Sequence, residues 1–187
     1  MVEFLAVITS FICVYHNIKA KWQAWIWSIL ACVLYAFVLY ESKSWANFGL
    51  QFCFILISFY GLYEWLLKKK IDKNQKLRQI SNLSLFQFII LFILLFIFSC
   101  VIFFSDFSTL FILDITTTFL SLIAQYLLAI KKIENWFFWI FANVLYLIMF
   151  FLLSLYWSIL LYFIFILMAF SGFLLWRKEQ ITKSHQN

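Results

Sequence analysis

Long apolar runs alternate with short polar or charged links along most of the chain. An α-helix needs about 20 apolar residues to cross the hydrocarbon core of a bilayer. The stretch 136–176 has no charged residue over 41 positions, which is long enough for two such helices. We predict the break between these two helices near Ser154–Ser158. The pattern therefore predicts seven transmembrane helices, with spans at 2–18, 22–40, 45–67, 84–104 and 107–130 followed by the two within 136–176.

Composition supports an all-α integral membrane protein. The chain is 66% hydrophobic and 12% charged, whereas soluble domains carry about 25% charged residues. It has no proline, three glycines and no Walker motif, so ATP hydrolysis is not predicted to drive it. The sequence shows no catalytic triad and no cluster of metal ligands, so we predict neither an enzyme nor a metal or cofactor site.

The basic residues predict the orientation in the membrane. If the N-terminus is outside, the inner segments hold thirteen lysines and arginines and the outer segments hold only Lys43. Cytoplasmic loops carry such an excess of positive charge. We therefore predict an outside N-terminus and an inside C-terminus. The net charge of +6 is then a sign of topology, and no nucleic-acid partner is predicted.

The predicted spans fall into two sets of three on either side of a single helix. The organisation is one transmembrane domain, 1–187, with repeat one at 2–67, a cytoplasmic basic linker at 68–83, a linker helix at 84–104, repeat two at 107–176 and a cytoplasmic tail at 177–187. Because one helix separates the sets, both run through the membrane in the same direction. Such parallel repeats occur in transporters, with the site between the repeats.

Short motifs recur in the two sets. They are Trp22-x-x-Trp25 with Trp136-x-x-Trp139, 114 residues apart, and Gly61-x-x-x-Trp65 with Gly172-x-x-x-Trp176, 111 residues apart. The first pair follows a short basic link, and the second pair closes the third helix of each set. We interpret the different offsets as a shorter outer link in the second repeat.

Polar and aromatic side chains form stripes on single helix faces inside these apolar spans. The candidate site residues are Asp114, Thr118, Ser121 and Gln125 on the fifth span, Trp136, Trp139, Asn143 and Tyr146 on the sixth, and Asn47 and Gln51 on the third. The stripes predict a path for a small, polar, ring-bearing solute. Two alternatives stay open: small polar residues also join helices in membranes, and tryptophan also anchors helices at the interface.

The charges within the stripes indicate the chemistry of the solute. No lysine or arginine lies deep in any predicted span, so a phosphate or carboxylate would find no partner. Aromatic faces and one acid, Asp114, favour a cationic aromatic ring. The amide and hydroxyl groups suit a sugar. An ionisable residue such as Asp114 is costly within a membrane, by about 2.5–3.5 kcal/mol, so we expect it to face the interior.

The run from Gln125 to Asn143, with its W-x-x-W-I-x-x-N motif at Trp136, resembles the nicotinamide riboside transporter family (PnuC-type). The segments Ser58–Trp65 and Gly172–Trp176 are similar to the family as well. The resemblance covers nearly the whole chain. It implies that solute contacts are made by Gln51, Gln125, Trp136, Trp139 and Asn143.

The resemblance further implies a multi-pass transporter of the bacterial inner membrane with 3+1+3 helices, often a homotrimer. The expected function is facilitated diffusion of nicotinamide riboside, an unphosphorylated vitamin B3 precursor, with trapping by a cytoplasmic kinase for NAD biosynthesis. Close relatives carry thiamine, which also presents a cationic ring, so thiamine transport is the first alternative. A membrane scaffold or sensor that transports nothing is the distant alternative.

Overall fold

The computed structural model describes residues 2–41, 45–67 and 108–184. These residues form the helices α1 (Val2–Ile18), α2 (Gln23–Glu41), α3 (Trp45–Leu62), α4 (Thr109–Ala129), α5 (Asn135–Leu152) and α6 (Tyr156–Ser184). A π-helical turn, Tyr63–Leu67, continues α3. All elements of the described part are helical, as the sequence predicted. The predicted linker 68–83 and linker helix 84–104 lie outside the described residues.

The helices of the described part are suited to a membrane. α3 with its π-helical turn, α4, α5 and α6 are each long and apolar enough to cross one, and α1 and α2 are apolar but shorter. Large apolar side chains such as Phe4, Leu56 and Phe151 are exposed on the outside of the bundle. Exposed apolar surface of this kind is stable only against lipid or another protein.

The observed helix ends follow the lengths of the apolar runs, with one difference. The link between α5 and α6 lies at 153–155, where the break was predicted. α6 however continues eight residues beyond Trp176, to Ser184. The residues that follow Trp176 are arginine, lysine, glutamate and glutamine, which favour helices, and no glycine or proline stops them. The apolar run ends at Trp176, but the helix continues to Ser184.

The six described helices form a closed ring. Each helix packs on the next along the chain within the triplets α1–α2–α3 and α4–α5–α6, and the triplets meet where α3 contacts α4 and α1 contacts α6. The Trp65 indole donates to the Ala129 carbonyl at the end of α4. The Trp176 indole likewise donates to the carbonyls of Asn17 and Ile18 at the end of α1. Helices α3 and α4 therefore run in the same direction.

The two triplets repeat each other at a constant offset of 111 residues. Their short links have the same geometry, because Ala20 has a φ of 48° and Lys131 a φ of 55°. The Ala20 amide donates to the Asn17 carbonyl and the Lys131 amide to the Leu128 carbonyl, both at 3.0 Å. The offset of 111 thus holds through the first link of each triplet as well as through the closing Gly-x-x-x-Trp motif.

This offset corrects one predicted pairing. A Cβ at Gly61 would lie 2.5 Å from the Trp25 ring, and a Cβ at Gly172 would lie 2.5 Å from the Trp136 ring. Trp136 is therefore the counterpart of Trp25. The predicted pairing of Trp136 with Trp22, at an offset of 114, is wrong by one helical turn. Several tryptophans stand close together at the start of α2, so their spacing alone allowed both alignments.

Candidate functional site

Four tryptophans gather at the end of the ring where α1, α3 and α4 terminate. The rings of Trp25 and Trp65 meet edge to face with centroids 5.4 Å apart, and those of Trp136 and Trp176 do the same at 5.5 Å. Trp65 and Trp176 lie 6.2 Å apart across the junction of the triplets. This tryptophan cluster belongs to the buried core, and it joins the two triplets at that end of the ring.

Trp136 belongs to this tryptophan cluster. It is 2% exposed, and it packs on Gly172 on one side and on Trp176 on the other. Packing accounts for its burial without a solute. Trp139, one turn further along α5, is only partly buried and packs on the edge of the cluster. A solute contact from either tryptophan stays a prediction.

A buried polar cluster lies beside the tryptophan cluster, where α2, α3 and α4 meet. The hydroxyl oxygens of Ser28 and Ser58 are 2.8 Å apart. The Gln125 Nε2 donates to both hydroxyls at 3.3 Å. Ser58 is 0% exposed and Gln125 is 6% exposed. The cluster therefore joins the two triplets by hydrogen bonds, and it includes one predicted site residue, Gln125.

Hydroxyl groups of α4 line its contact with α5. The Tyr146 hydroxyl lies beside the hydroxyls of Thr117, Thr118 and Ser121 and within electrostatic range of Asp114. Thr117 is already bonded to carbonyls of its own helix, whereas the buried Ser121 hydroxyl has no partner among the described residues. The structure thus brings four predicted site residues together here, on facing sides of two neighbouring helices.

An aromatic group extends from Tyr146 into α6 and α1. The Tyr146 and Tyr162 rings lie 4.8 Å apart, Tyr162 contacts Phe165, and Phe165 contacts Phe11 of α1 at 5.0 Å. Along α5, Tyr146 is ten residues from Trp136, a rise of about 15 Å. Aromatic side chains therefore lie on both sides of the amide of Asn143 along this helix.

The remaining predicted residues are placed less completely. Asn143 is buried on α5, with 6% of its surface exposed, and its amide makes no hydrogen bond to any residue in the ranges that the structure describes. Asp114 and Gln51 are half-buried on α4 and α3. Asn47 lies in α3, but its side chain is outside the described part of the structure.

Ser28, Ser58 and Tyr162 were not among the predicted site residues. Ser28 is a single serine in an apolar helix, so it forms no stripe. The offset of 111 would have found it, because it places Ser28 at the position of Trp139. Ser58 does share a face of α3 with Asn47 and Gln51, and that periodicity was a usable signal. Tyr162 gave none, since aromatic residues are common throughout the chain.

Comparison with known proteins agrees with this geometry. A protein-family model described as "nicotinamide mononucleotide transporter" matches residues 1–178. The chain belongs to this family. The resemblance to PnuC-type transporters is thereby confirmed, and the chain is a multi-pass membrane transporter with a small-molecule substrate. None of the curated protein sequences matches the chain.

A solved structure has the same fold. The crystal structure of the vitamin B3 transporter PnuC matches with a TM-score of 0.72 over 95% of this chain and 80% of that chain. The two sequences are 20% identical, so this likeness establishes the fold of the chain and does not identify its substrate.

Proposed function

We propose that this transporter imports nicotinamide riboside across the bacterial inner membrane by facilitated diffusion. A cytoplasmic kinase that phosphorylates the product would keep it in the cell. Membership of the family supports the part of the proposal that the protein transports a small solute. The choice of the riboside rests on the side chains inside the ring of helices. The solved vitamin B3 transporter with this fold supports this choice.

The observation that carries the proposal is the Asn143 amide. The Asn143 residue is 6% exposed, and no described residue bonds to its amide. A buried amide without partners costs free energy, so proteins rarely leave one unless a ligand or water completes it. Trp139 and Tyr146 share its face of α5. An amide between aromatic rings suits a solute that carries both a cationic ring and hydroxyl groups.

The absence of basic residues within the spans favours the riboside over its phosphate. Between Ser108 and Ile130, and between Asn135 and Trp176, the sequence has no lysine or arginine. Lys131 and Lys132 lie in the link between α4 and α5, where Lys131 Nζ sits 4.8 Å from the Trp65 ring centroid. A phosphate group that passes between the helices would lack the charge-assisted hydrogen bonds from lysine or arginine that such groups need.

The seven-span topology with an outside N-terminus is part of the proposal. The parallel course of α3 and α4 supports it, because two successive spans that run the same way require the chain between them to cross back. The thirteen basic residues on the inner side support the orientation. The homotrimer implied by the family resemblance stays a prediction.

Thiamine is the second candidate solute, because it also presents a cationic aromatic ring. The test is thermal unfolding of the purified transporter with each solute, since a ligand that binds the folded state raises the melting temperature. We expect nicotinamide riboside to stabilise the protein more than thiamine at equal concentration. Stabilisation by thiamine alone would reject the riboside.

Uptake into proteoliposomes tests the role of Asn143. We expect Asn143→Ala to lower uptake of nicotinamide riboside by about five- to 150-fold, since an amide that bonds a buried solute contributes about 1–3 kcal/mol. Thr116→Ala is the matched control, because the Thr116 hydroxyl is already bonded to the Ile112 carbonyl of its own helix. Unchanged uptake in the Asn143 variant would contradict the site and favour a scaffold or sensor.

A further inference from the structure

The donors and acceptors in the cluster of Ser28, Ser58 and Gln125 favour one orientation of the Gln125 side-chain amide. The two serines share one hydrogen bond, which uses one of their two hydroxyl protons. If the amide nitrogen faces the serines, its two protons meet two acceptors. If the carbonyl oxygen faced them, only one hydroxyl proton would remain for it. The observed orientation, with Nε2 towards both serines, therefore makes more hydrogen bonds.

This orientation leaves the carbonyl oxygen as the free group of Gln125. Among the described residues no donor bonds to Gln125 Oε1, because its two hydrogen bonds both come from Nε2. Gln125 as a residue is 6% exposed, and a carbonyl oxygen at such a position normally accepts a hydrogen bond from protein, water or a ligand. We propose that Ser28 and Ser58 are positioning residues that hold the Gln125 amide nitrogen, so that its carbonyl oxygen accepts a hydrogen bond from a donor on the transported solute.

The internal repeat argues that this cluster is not needed to close the ring. At an offset of 111, the counterparts of Ser28, Ser58 and Gln125 are Trp139, Ala169 and Val14. These three residues pack in or against the core where α6 meets α1. The same helix junction is thus made by apolar side chains in one place and by hydrogen bonds in the other. Packing of the helices at this junction therefore does not require the polar cluster.

The inference rests on the proposed function, since it treats Gln125 as a solute contact. It adds the kind of group that Gln125 recognises. A hydroxyl of a sugar or an N–H of a carboxamide donates a hydrogen bond, whereas a ring nitrogen without hydrogen, a carboxylate or an ether oxygen does not. The serines therefore contribute to selectivity without touching the solute.

Single and double variants test the proposal in the full-length transporter. We expect Ser28→Ala and Ser58→Ala each to raise the Kd and the KM for nicotinamide riboside about three- to tenfold, with a maximal rate within about twofold of wild type. Ser28→Thr keeps the hydroxyl, so this variant should have a Kd and a KM close to those of the wild type. Ser171→Ala is the control, because the Ser171 hydroxyl is bonded to the Met168 carbonyl of its own helix.

A double-mutant cycle separates positioning from general destabilisation. In a Gln125→Ala background the carbonyl oxygen is gone, so Ser58→Ala should cost no further affinity. Additive losses would overturn the proposal. It would also fail if the serine variants lowered only the melting temperature and kept the wild-type Kd.

The same measurements distinguish the two proposals from each other. If nicotinamide riboside does not bind the wild type but thiamine does, the proposed substrate is wrong, and the cycle is then run with thiamine. A non-additive cycle with thiamine supports the role of the serines independently of the riboside. If neither solute binds the wild type, both proposals fail.

Discussion

At the scale of single residues, two glycines make close contacts that no other residue permits. A Cβ at Gly172 would lie 2.5 Å from the Trp136 ring, and one at Gly61 would lie as close to the Trp25 ring. Both rings are buried in the tryptophan cluster, so a shift of either ring would disturb its packing. We expect Gly172→Ala and Gly61→Ala each to lower the free energy of unfolding by about 1–3 kcal/mol through overpacking.

Gly49→Ala is the matched control for these two substitutions. Gly49 also lies in a helix, but a Cβ there would meet nothing within 4 Å. Alanine favours helices over glycine by about 1 kcal/mol, so this variant should keep or raise the melting temperature. The measurement is thermal unfolding in detergent. Equal melting temperatures for Gly172→Ala and Gly49→Ala would refute the close packing.

At the scale of helices, two indole hydrogen bonds tie the triplets together. Trp65 Nε1 donates to the Ala129 carbonyl at 2.9 Å, and Trp176 Nε1 donates to the Asn17 carbonyl at 3.1 Å. Phenylalanine keeps an aromatic ring but lacks this donor. We expect Trp65→Phe and Trp176→Phe to destabilise the protein similarly, by about 1–3 kcal/mol, because each leaves a buried carbonyl without its donor.

The control for the indole bonds is Trp157→Phe. Trp157 is 86% exposed on the outside of α6, so its loss should leave the melting temperature of the detergent-solubilised protein nearly unchanged. A small effect in only one of the two buried variants would show that the two junctions are not equivalent, contrary to the repeated geometry.

Helices are also the scale at which the sequence was most informative. Spans in a bilayer have a nearly fixed length, so the apolar runs predicted the ends of α1, α2 and α4 to within two residues. The end of α6 was missed because polar helix formers continue the helix past the apolar run. The pairing of Trp136 with Trp22 was wrong because only a three-dimensional contact, that of Gly61 with Trp25, distinguishes the two registers.

The candidate site was predicted less completely than the fold, for a physical reason. Periodicity finds residues that repeat along one helix, and it therefore found Asp114, Thr118, Ser121 and Gln125. It cannot find a partner that stands alone on another helix, such as Ser28. Periodicity also cannot separate packing from binding, and Trp136 shows this, because its burial is explained by the tryptophan cluster.

At the scale of the whole molecule, the orientation in the membrane can be tested on the links between helices. The link between α1 and α2 is predicted to be inside and the link between α5 and α6 outside. Lys19 and Leu155 are exposed in or beside these links. In a variant whose four cysteines are replaced by alanine, we expect Leu155→Cys to react with a membrane-impermeant thiol reagent applied to intact spheroplasts.

In the same background, Lys19→Cys should react only after the membrane is permeabilised. The physical reason is that lysines and arginines are retained on the cytoplasmic side, so reversing the chain would place thirteen of them outside. Labelling of Lys19→Cys in intact spheroplasts, with protection of Leu155→Cys, would establish the opposite orientation. Labelling of both from outside would show that α2 to α5 do not carry the chain across in the predicted order. The proposed solute path from Tyr146 towards the tryptophan cluster would run from outside to inside only if Leu155→Cys is the variant that reacts in intact spheroplasts.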